Sequence, residues 1–546
     1  MKTTFSLDDF PGANPLVRDY AADFSRVRSW FHYDPQGDGS VAERLAELDS
    51  KPAADRSAAR EAVVRQLSRW GVGQEALQGA ELLGQPGTYT VATGQQAGLF
   101  GGPLYTVLKA ISVVKLAREL NSLFTGHQFV PTFWIASGDS DFDEVRSTRF
   151  ISQEGSLAEL SLEPGGQADE ALIIGAREVG SGIAAQLEAL GEPLPGGEFR
   201  NETLEGIREA YTGGNLVDGF ARWMSRLFSG TELVLIDPQD PALMACASGL
   251  IQGELNNSEV SHKALATRNA AISTAGYALQ VEQLEGDTNL FLLDESGMRE
   301  KISRAGDGYL LRPSGRKFTG EELSDLAAGS PASFVCGVML RPVYQNVLFP
   351  PAAFVGGAAE LAYRAQTTAV FDLHGEKMAP AFLRASATVL RAKQSGLLDE
   401  LGWELPDCFT VPQDLAARAV EGFCPDKMED AMQRYREILQ GADRELQQFA
   451  EQLNPNLGQS FDTLRENLTR HADKLEKKIN GALKQKHTAL VGQVERLHTA
   501  VYPGLAVQER QLNILSFLPR YGLGLIPRLI DILKFPAWEH QAVILD

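Results

Sequence analysis

The chain reads as an α/β protein with a parallel-sheet core, a β-rich insertion and a long antiparallel coiled-coil hairpin. Three stretches predict this. Tyr89 to Val145 runs strand, glycine loop, helix, strand. Val338 to Gln366 repeats the theme with a second glycine pair, and Met428 to Val501 carries apolar residues three and four apart between charged ones.

In the first stretch, the β-rich run Tyr89–Thr93 stops at Gly94, and glycines recur at Gly98, Gly101 and Gly102 before Pro103. Proline suits the first helical position, with Gly102 as cap, and Leu104, Val107, Leu108, Ile111 and Val114 follow at helical spacing. Phe129–Ala136 closes a βαβ unit whose second strand is parallel to the first. The cluster Asp139, Asp141, Asp143 and Glu144 then falls at the carboxyl end of that strand, beside the glycine loop. Glycines allow close approach of a ligand, and the unpaired N–H groups of the helix opening near Pro103 suit a phosphate or carboxylate. Thr93, Gln95 and Gln96 add side-chain donors, while Asp139 and Asp141 suit an amine, a ribose hydroxyl or magnesium. The loop is neither the dinucleotide fingerprint nor a Walker loop, so a tight βα turn packed by glycines is the competing reading.

Composition narrows the classes. The length of 546 residues exceeds one ordinary domain, and 44% hydrophobic residues support substantial cores. A net charge of −20 argues against nucleic acid or an anionic membrane as partner, though not against small anions in a local site. Cys246, Cys336, Cys408 and Cys424 form no CxxC pair, so neither a disulfide framework nor a tightly bound metal is predicted. The start MKTTFSLDDFPG lacks a signal-peptide core and no apolar run spans a bilayer, so the expected location is the cytoplasm.

Along the chain, the spacing predicts a helix over Pro15–Phe31, helices from Val41 to Trp70, and a link over Gly71–Gly87. Ile151–Gly197 reads as surface elaboration, Leu204–Leu227 as a helix, and Leu233–Ile236 as a further parallel strand. The broken runs between Tyr277 and Leu311, YALQV among them, read as antiparallel hairpins. The core thus spans 1–395, with insertions near 151–230 and 270–330. VMLRP then places Arg341 at a strand end, where it can bind a carboxylate or phosphate in bidentate fashion. The Gly356-Gly357 pair opens a helix holding Glu360, a candidate partner for an amine, and Tyr363. Two glycine-opened helices are thereby expected to face one crevice, and Phe382–Leu390, with Arg384 and Ser386, is a final strand. Met432, Tyr435, Leu439, Ala442, Leu446, Phe449 and Leu453 form an a/d seam in the hairpin at 412–503. The Asn454-Pro455-Asn456 cluster breaks it, and a helical tail over 504–546 is expected to pack back on the core.

Taken together, NPLVRDY, TGQQAGLFGGPLYTVLKA, PTFWIASGDSDFDEV, LVLIDPQDP, LRPVYQNVLFPPAAFVGGAAELAY and YPGLAVQERQLN resemble the bacillithiol-biosynthesis cysteine-adding enzymes, the BshC family, over nearly the whole chain. That resemblance implies a Rossmann-type core related to nucleotidyltransferases and class I aminoacyl-tRNA synthetases, a homodimer helped by the coiled coil, and the joining of cysteine to glucosaminyl malate. The family's TGQQ loop falls on Thr93–Gln96, where related nucleotidyltransferases carry a histidine-containing ATP signature. Its acidic motif reads Glu-Asp-His-Asp-Phe, whereas this chain has Gly138-Asp139-Ser140-Asp141-Phe142. The expected chemistry is amide formation after ATP-dependent activation of the cysteine carboxylate, with Mg2+, Arg341 neutralising a carboxylate, and Asp141 or Glu360 as base. Thr93, Gly94, Gln95, Gln96, Gly98, Gly101, Gly102, Asp139, Gly356, Gly357 and Tyr363 are the expected binding residues. Another adenylate-forming ligase or nucleotidyltransferase, or a non-enzymatic coiled-coil interaction protein, are the alternatives.

Overall fold

A computed structural model describes residues 2–6, 14–36, 39–163, 171–421, 428–454 and 457–546. Cys424 and the breaker residues Pro455 and Asn456 lie outside the described residues. The chain forms two compact units, one of Lys2–Leu390 with Ala506–Asp546 and one of Arg391–Leu505.

The first unit is built on the βαβ run. Strand β1 (Thr88–Gln95) leads through a glycine turn to helix α1 (Leu104–Leu123) and strand β2 (Gln128–Ile135), which pairs with β1 in parallel from Thr88↔Gln128 to Gln95↔Ile135. Strand β3 (Val234–Ile236) adds to β2, also parallel. The insertion follows as β4 (Asp287–Leu293), β5 (Arg299–Ala305), β6 (Gly308–Arg312), β7 (Lys317–Phe318) and β8 (Phe334–Cys336), an antiparallel sheet ordered β7-β6-β5-β4-β8. Helix α2 (Arg341–Leu348), strand β9 (Pro351–Gly356), helix α3 (Ala358–Leu373) and strand β10 (Ala381–Leu383) return the chain to the core. The five core strands lie in the order β10-β9-β1-β2-β3 with every pairing parallel.

The two kinds of sheet explain their sequences. Strands β1, β2 and β9 bury consecutive residues on both faces, apolar ones together with Thr88, Thr90, Thr93 and Thr132, whereas β6 alternates buried and half-buried residues. The order also fixes where a ligand can enter. From β1 the chain moves outward to β2 and β3, then returns on the other side of β1 through β9 and β10, so the direction of winding reverses between β1 and β9. In such sheets the crevice opens at the carboxyl ends of the strands at that reversal.

Several expected elements differ. The helix from Pro15 ends at Ala22, where Asp23 leaves helical geometry, and two short 3-10 turns carry the chain on to Trp30. The apolar spacing is still used, because Tyr20 packs against both Phe24 and Phe31. Gly71–Gly87 contains a helix, Gln74–Leu82, and Ile151–Gly197 contains a strand, Leu157–Ser161, paired with Ser147–Ile151. YALQV forms no strand. Phe382–Leu390 divides in two. After β10 the chain enters β11 (Ser386–Arg391), in a separate sheet with Thr4–Ser6 and β12 (Glu539–Leu545), so the tail ends in a strand rather than in helices alone.

In the second unit, α4 (Met428–Leu453) and α5 (Gly458–Lys486) run antiparallel, continued by α6 (Thr488–Val501). Arg436 meets Asp473 and Glu476, while Arg465 meets Asp443 and Gln447. The inward face of α4 therefore runs through Met432, Arg436, Asp443 and Gln447. The predicted apolar seam is only partly used in this contact: Met432 is buried and Leu439 half-buried, whereas Leu446 is 61%, Phe449 68% and Leu453 76% exposed. No helix among the described residues is long and apolar enough to cross a membrane.

Candidate functional site

A cavity of about 920 Å3 opens at the carboxyl ends of the core strands and extends over the antiparallel insertion. It receives Thr93–Gln96 from the end of β1, Gly138 and Asp139 from beyond β2, Gly357–Glu360 from the start of α3, Arg384 from beyond β10, and Arg299 and Lys301 from β5. Seven lysines and arginines against five carboxylates line it, a local cationic surplus in a chain of net charge −20. Such a surplus favours anionic ligands.

At its floor is Lys109, which sequence reasoning passed over. It stands among the apolar residues of α1, one turn after Tyr105, and both side chains line the cavity. Its ammonium donates to Gly94 O at 2.8 Å, to Gln95 Oε1 at 2.7 Å, and to Glu360 Oε2. An ammonium has three donors, and these three acceptors satisfy them all. Burial pushes Lys109 below the ordinary lysine value, with Glu360 pulling the other way. The pair joins the ends of β1 and β9 across the reversal point, which is why Glu360 is placed here. Glu360 also caps its own helix, accepting from Gly357 N at 2.8 Å.

Gln95 and Gln96 hold the second feature, Glu144. Gln95 Nε2 donates to Glu144 Oε1 at 3.2 Å, and Gln96 Nε2 donates to Glu144 Oε2 at 2.6 Å and to Asp139 Oδ2 at 3.2 Å. Burial raises the Glu144 carboxyl above the ordinary glutamate value, reinforced by Asp141 and Asp139 and opposed by Gln96. Glu144 was legible only as one of four acids, because nothing in the run says which of them turns inward.

Asp141 does not line the cavity. It caps the short helix Phe142–Val145, accepting from Glu144 N at 3.2 Å. Asp139 does line it, 3.4 Å from Arg299. Where the family motif begins with glutamate, Gly138 is hemmed in, since a Cβ there would come within 2.7 Å of Val335 Cγ1. The motif's departure is thus matched by the packing of the insertion against it.

The glycine turn is a structural feature in this fold. Gly98, Gly101 and Gly102 lie outside the cavity. Phe100 N donates to the Tyr211 hydroxyl, Asn513 Nδ2 donates to Phe100 O and Gly102 O, and the first N–H of α1, at Leu104, donates to Leu512 O at 2.7 Å. The predicted anion site at this helix start is therefore filled by the chain itself, and Pro103 is the cap rather than the first helical residue. A Cβ on Gly98 would lie 2.7 Å from Gly102 Cα, so Gly98→Ala is expected to cost about 1–3 kcal/mol, read from denaturant unfolding, with the substrate KM values unchanged. A different helix start faces the cavity. The first turn of α3 brings to it N–H groups that a helix cannot pair internally. Of its glycine pair, Gly357 lines the cavity, whereas Gly356 sits behind it against Phe354 and Leu361.

Arg341 opens α2 instead of ending a strand. It lines the cavity 3.5 Å from the Tyr363 hydroxyl, and no carboxylate of the described residues comes within ion-pair distance of it. Arg384, by contrast, is held by Glu509 at 2.6 Å, and Glu509 in turn accepts from Ser386 and Ala387 N. Thr93 Oγ1 and Arg364 Nε are buried without a hydrogen-bond partner beside the same space. Orphaned polar atoms of this kind await a ligand or water.

Comparison with known proteins bears on the whole chain. The description "Bacillithiol biosynthesis BshC, N-terminal Rossmann-like domain" matches residues 4–385, and "Bacillithiol biosynthesis BshC, C-terminal coiled-coil domain" matches residues 387–545. The second match includes the tail that returns to the first compact unit. The chain is 30% identical over 538 residues to "Putative cysteine ligase BshC" of Salinibacter ruber, covering 97% of this chain and 96% of that one. Proteins of the same name from Prosthecochloris aestuarii and Chlorobaculum tepidum are 30% and 28% identical, each covering 98% of this chain and 97% of their own.

Proposed function

The chain belongs to the BshC family of bacillithiol biosynthesis, and from that premise we propose that it joins cysteine to glucosaminyl malate, forming an amide bond after ATP-dependent activation of the cysteine carboxylate. The observation that carries this reading is the juxtaposition, in one cationic cavity, of an unpaired arginine and a carboxylate of raised pKa. Amide synthesis needs a group to hold a carboxylate and a group to take a proton from an amine.

Arg341 supplies the first. Its guanidinium offers a planar pair of donors to the cysteine carboxylate, with Tyr363 beside it. Glu144 supplies the second. Gln95 and Gln96 aim its oxygens, and its raised pKa brings it nearer the operating pH, where a general base works best. Glu360 is less suited to that role than the sequence implies, because Lys109 and Gly357 N occupy its carboxylate. Lys109 fixes Gln95, and through it the direction of Glu144.

The residues present fit a nucleotide. The unpartnered Thr93 hydroxyl, the first turn of α3 and Arg510 would hold its phosphates, and Asp139 would meet its Mg2+. When bound, ATP makes the carboxylate oxygen a leaving group. The rest of the site orients the two substrates and excludes water.

The test is mass spectrometry of the protein incubated with cysteine, glucosaminyl malate and Mg2+, with and without ATP. The amide product is expected only with ATP. Equal product in both would overturn the activation step, and no product even after adding cell extract would overturn the ligase assignment. The same reading makes the protein a cytoplasmic homodimer through the coiled coil, supported by the exposed stripe Leu446, Phe449 and Leu453. Leu446→Asp with Phe449→Asp is expected to yield monomers by light scattering, with the helix content kept.

A further inference from the structure

We propose that Arg299 and Lys301 of the antiparallel insertion form the subsite for the carboxylates of the amine substrate, its malate end, and so set acceptor specificity. This rests on the ligase reading above and adds the place where the acceptor's charged end is held. Arg299 and Lys301 are two apart on β5, so they project from the same face of the sheet, into the cavity. Lys301 stands directly opposite Phe291 of β4 in the register. Its ammonium lies 4.3 Å from the Phe291 ring centroid, and the Arg299 guanidinium lies 4.6 Å from the same centroid. The two cations are therefore fixed against one aromatic wall.

The two differ in how far the protein compensates them. Arg299 is partly compensated, by an ion pair to Asp139 at 3.4 Å and a hydrogen bond to Gly138 O at 3.3 Å. Lys301 has no hydrogen-bond or ion-pair partner among the described residues. The nearby acid, Glu254, is fully buried and already bonded to Asn289 at 2.8 Å and His374 at 3.2 Å. Burial pulls the Lys301 ammonium down to about 8, with Arg299 adding to the fall and Glu254 opposing it. A cation this poorly compensated gains from an arriving anion.

The chemistry of the wall selects the kind of anion. Polyphosphates are held by fans of backbone N–H at helix starts and turns, whereas β5 offers two side-chain cations and no helix start. Two separate cations beside an aromatic face suit two discrete carboxylates.

The test is calorimetric titration of the full chain with L-malate and, separately, with inorganic pyrophosphate. Lys301→Gln is expected to weaken malate binding ~10- to 100-fold and leave pyrophosphate binding unchanged, while Lys301→Arg stays within a few-fold of the parent. In turnover, Lys301→Gln should raise KM for glucosaminyl malate with kcat and the cysteine KM unchanged. A methyl glucosaminide, which lacks the carboxylates, should not distinguish the variant from the parent. Unchanged malate affinity in Lys301→Gln, or a loss confined to pyrophosphate, would overturn the subsite. Lys301-dependent malate binding without turnover of any acceptor would overturn the ligase reading and leave the subsite standing.

Discussion

Replacing Glu144 with glutamine is expected to lower kcat by about 10²- to 10⁴-fold, the usual contribution of a positioned general base, with little change in either KM. Glutamine keeps the shape and can still meet Gln95 and Gln96, but it cannot accept a proton. The pH profile separates this from misplacement. A base must be deprotonated, so the parent rate should fall as pH drops through the Glu144 pKa, which burial sets above the ordinary glutamate value. The variant's residual rate should lack that limb. Stability should move the other way. A carboxyl whose folded pKa is raised opposes folding once pH exceeds its unfolded value, and the opposition is complete above the folded one. Glu144→Gln should therefore be at least as stable as the parent at neutral pH. If Glu144→Gln keeps the acid limb and Asp141→Asn or Glu360→Gln removes it, the base has been misassigned.

The case of Glu144 also shows what could and could not be read in advance. The parallel core was legible because β-rich runs stopped by glycines alternate with helical spacing, and Thr93–Gln96 and Gly357 were placed at the crevice because strand ends point there. The glycine turn misled for a physical reason. Gly98 is needed by close backbone packing, and whether Leu104 N meets a ligand or Leu512 depends on a segment about 400 residues away. No local pattern carries that. Asp141 and Glu144 differ only in which side of one helical turn they occupy, and a four-residue helix leaves no periodicity to read. On α4 the apolar stripe was visible, but only its first part faces α5: Met432 is buried there beside Arg436 and Asp443, whose salt bridges satisfy the contact in place of Leu446, Phe449 and Leu453. Lys109 was invisible for the opposite reason. A lone lysine in an apolar helix ordinarily reaches for solvent, and only the arrival of Glu360 from a distant helix makes its burial tolerable.

That dependence gives the largest stability effect expected in the molecule. Lys109→Met removes the positive charge and leaves the Glu360 carboxylate, Gly94 O and Gln95 Oε1 without their common donor. Breaking a buried pair from one side costs about 3–5 kcal/mol, because the surviving charge stays in a low-dielectric site. Methionine matches the lysine stem, so the loss comes from electrostatics rather than a cavity. The double variant Lys109→Met with Glu360→Gln removes both charges and is expected to recover much of that cost, giving a coupling measurable in the denaturant midpoint of the core unit. If the double variant were no more stable than Lys109→Met alone, the cost would lie in the orphaned Gly94 and Gln95 acceptors instead. Activity should not follow stability. In both variants Gln95 loses the ammonium that holds its carbonyl, its amide is no longer held toward Glu144, and turnover should stay low even where the fold is restored.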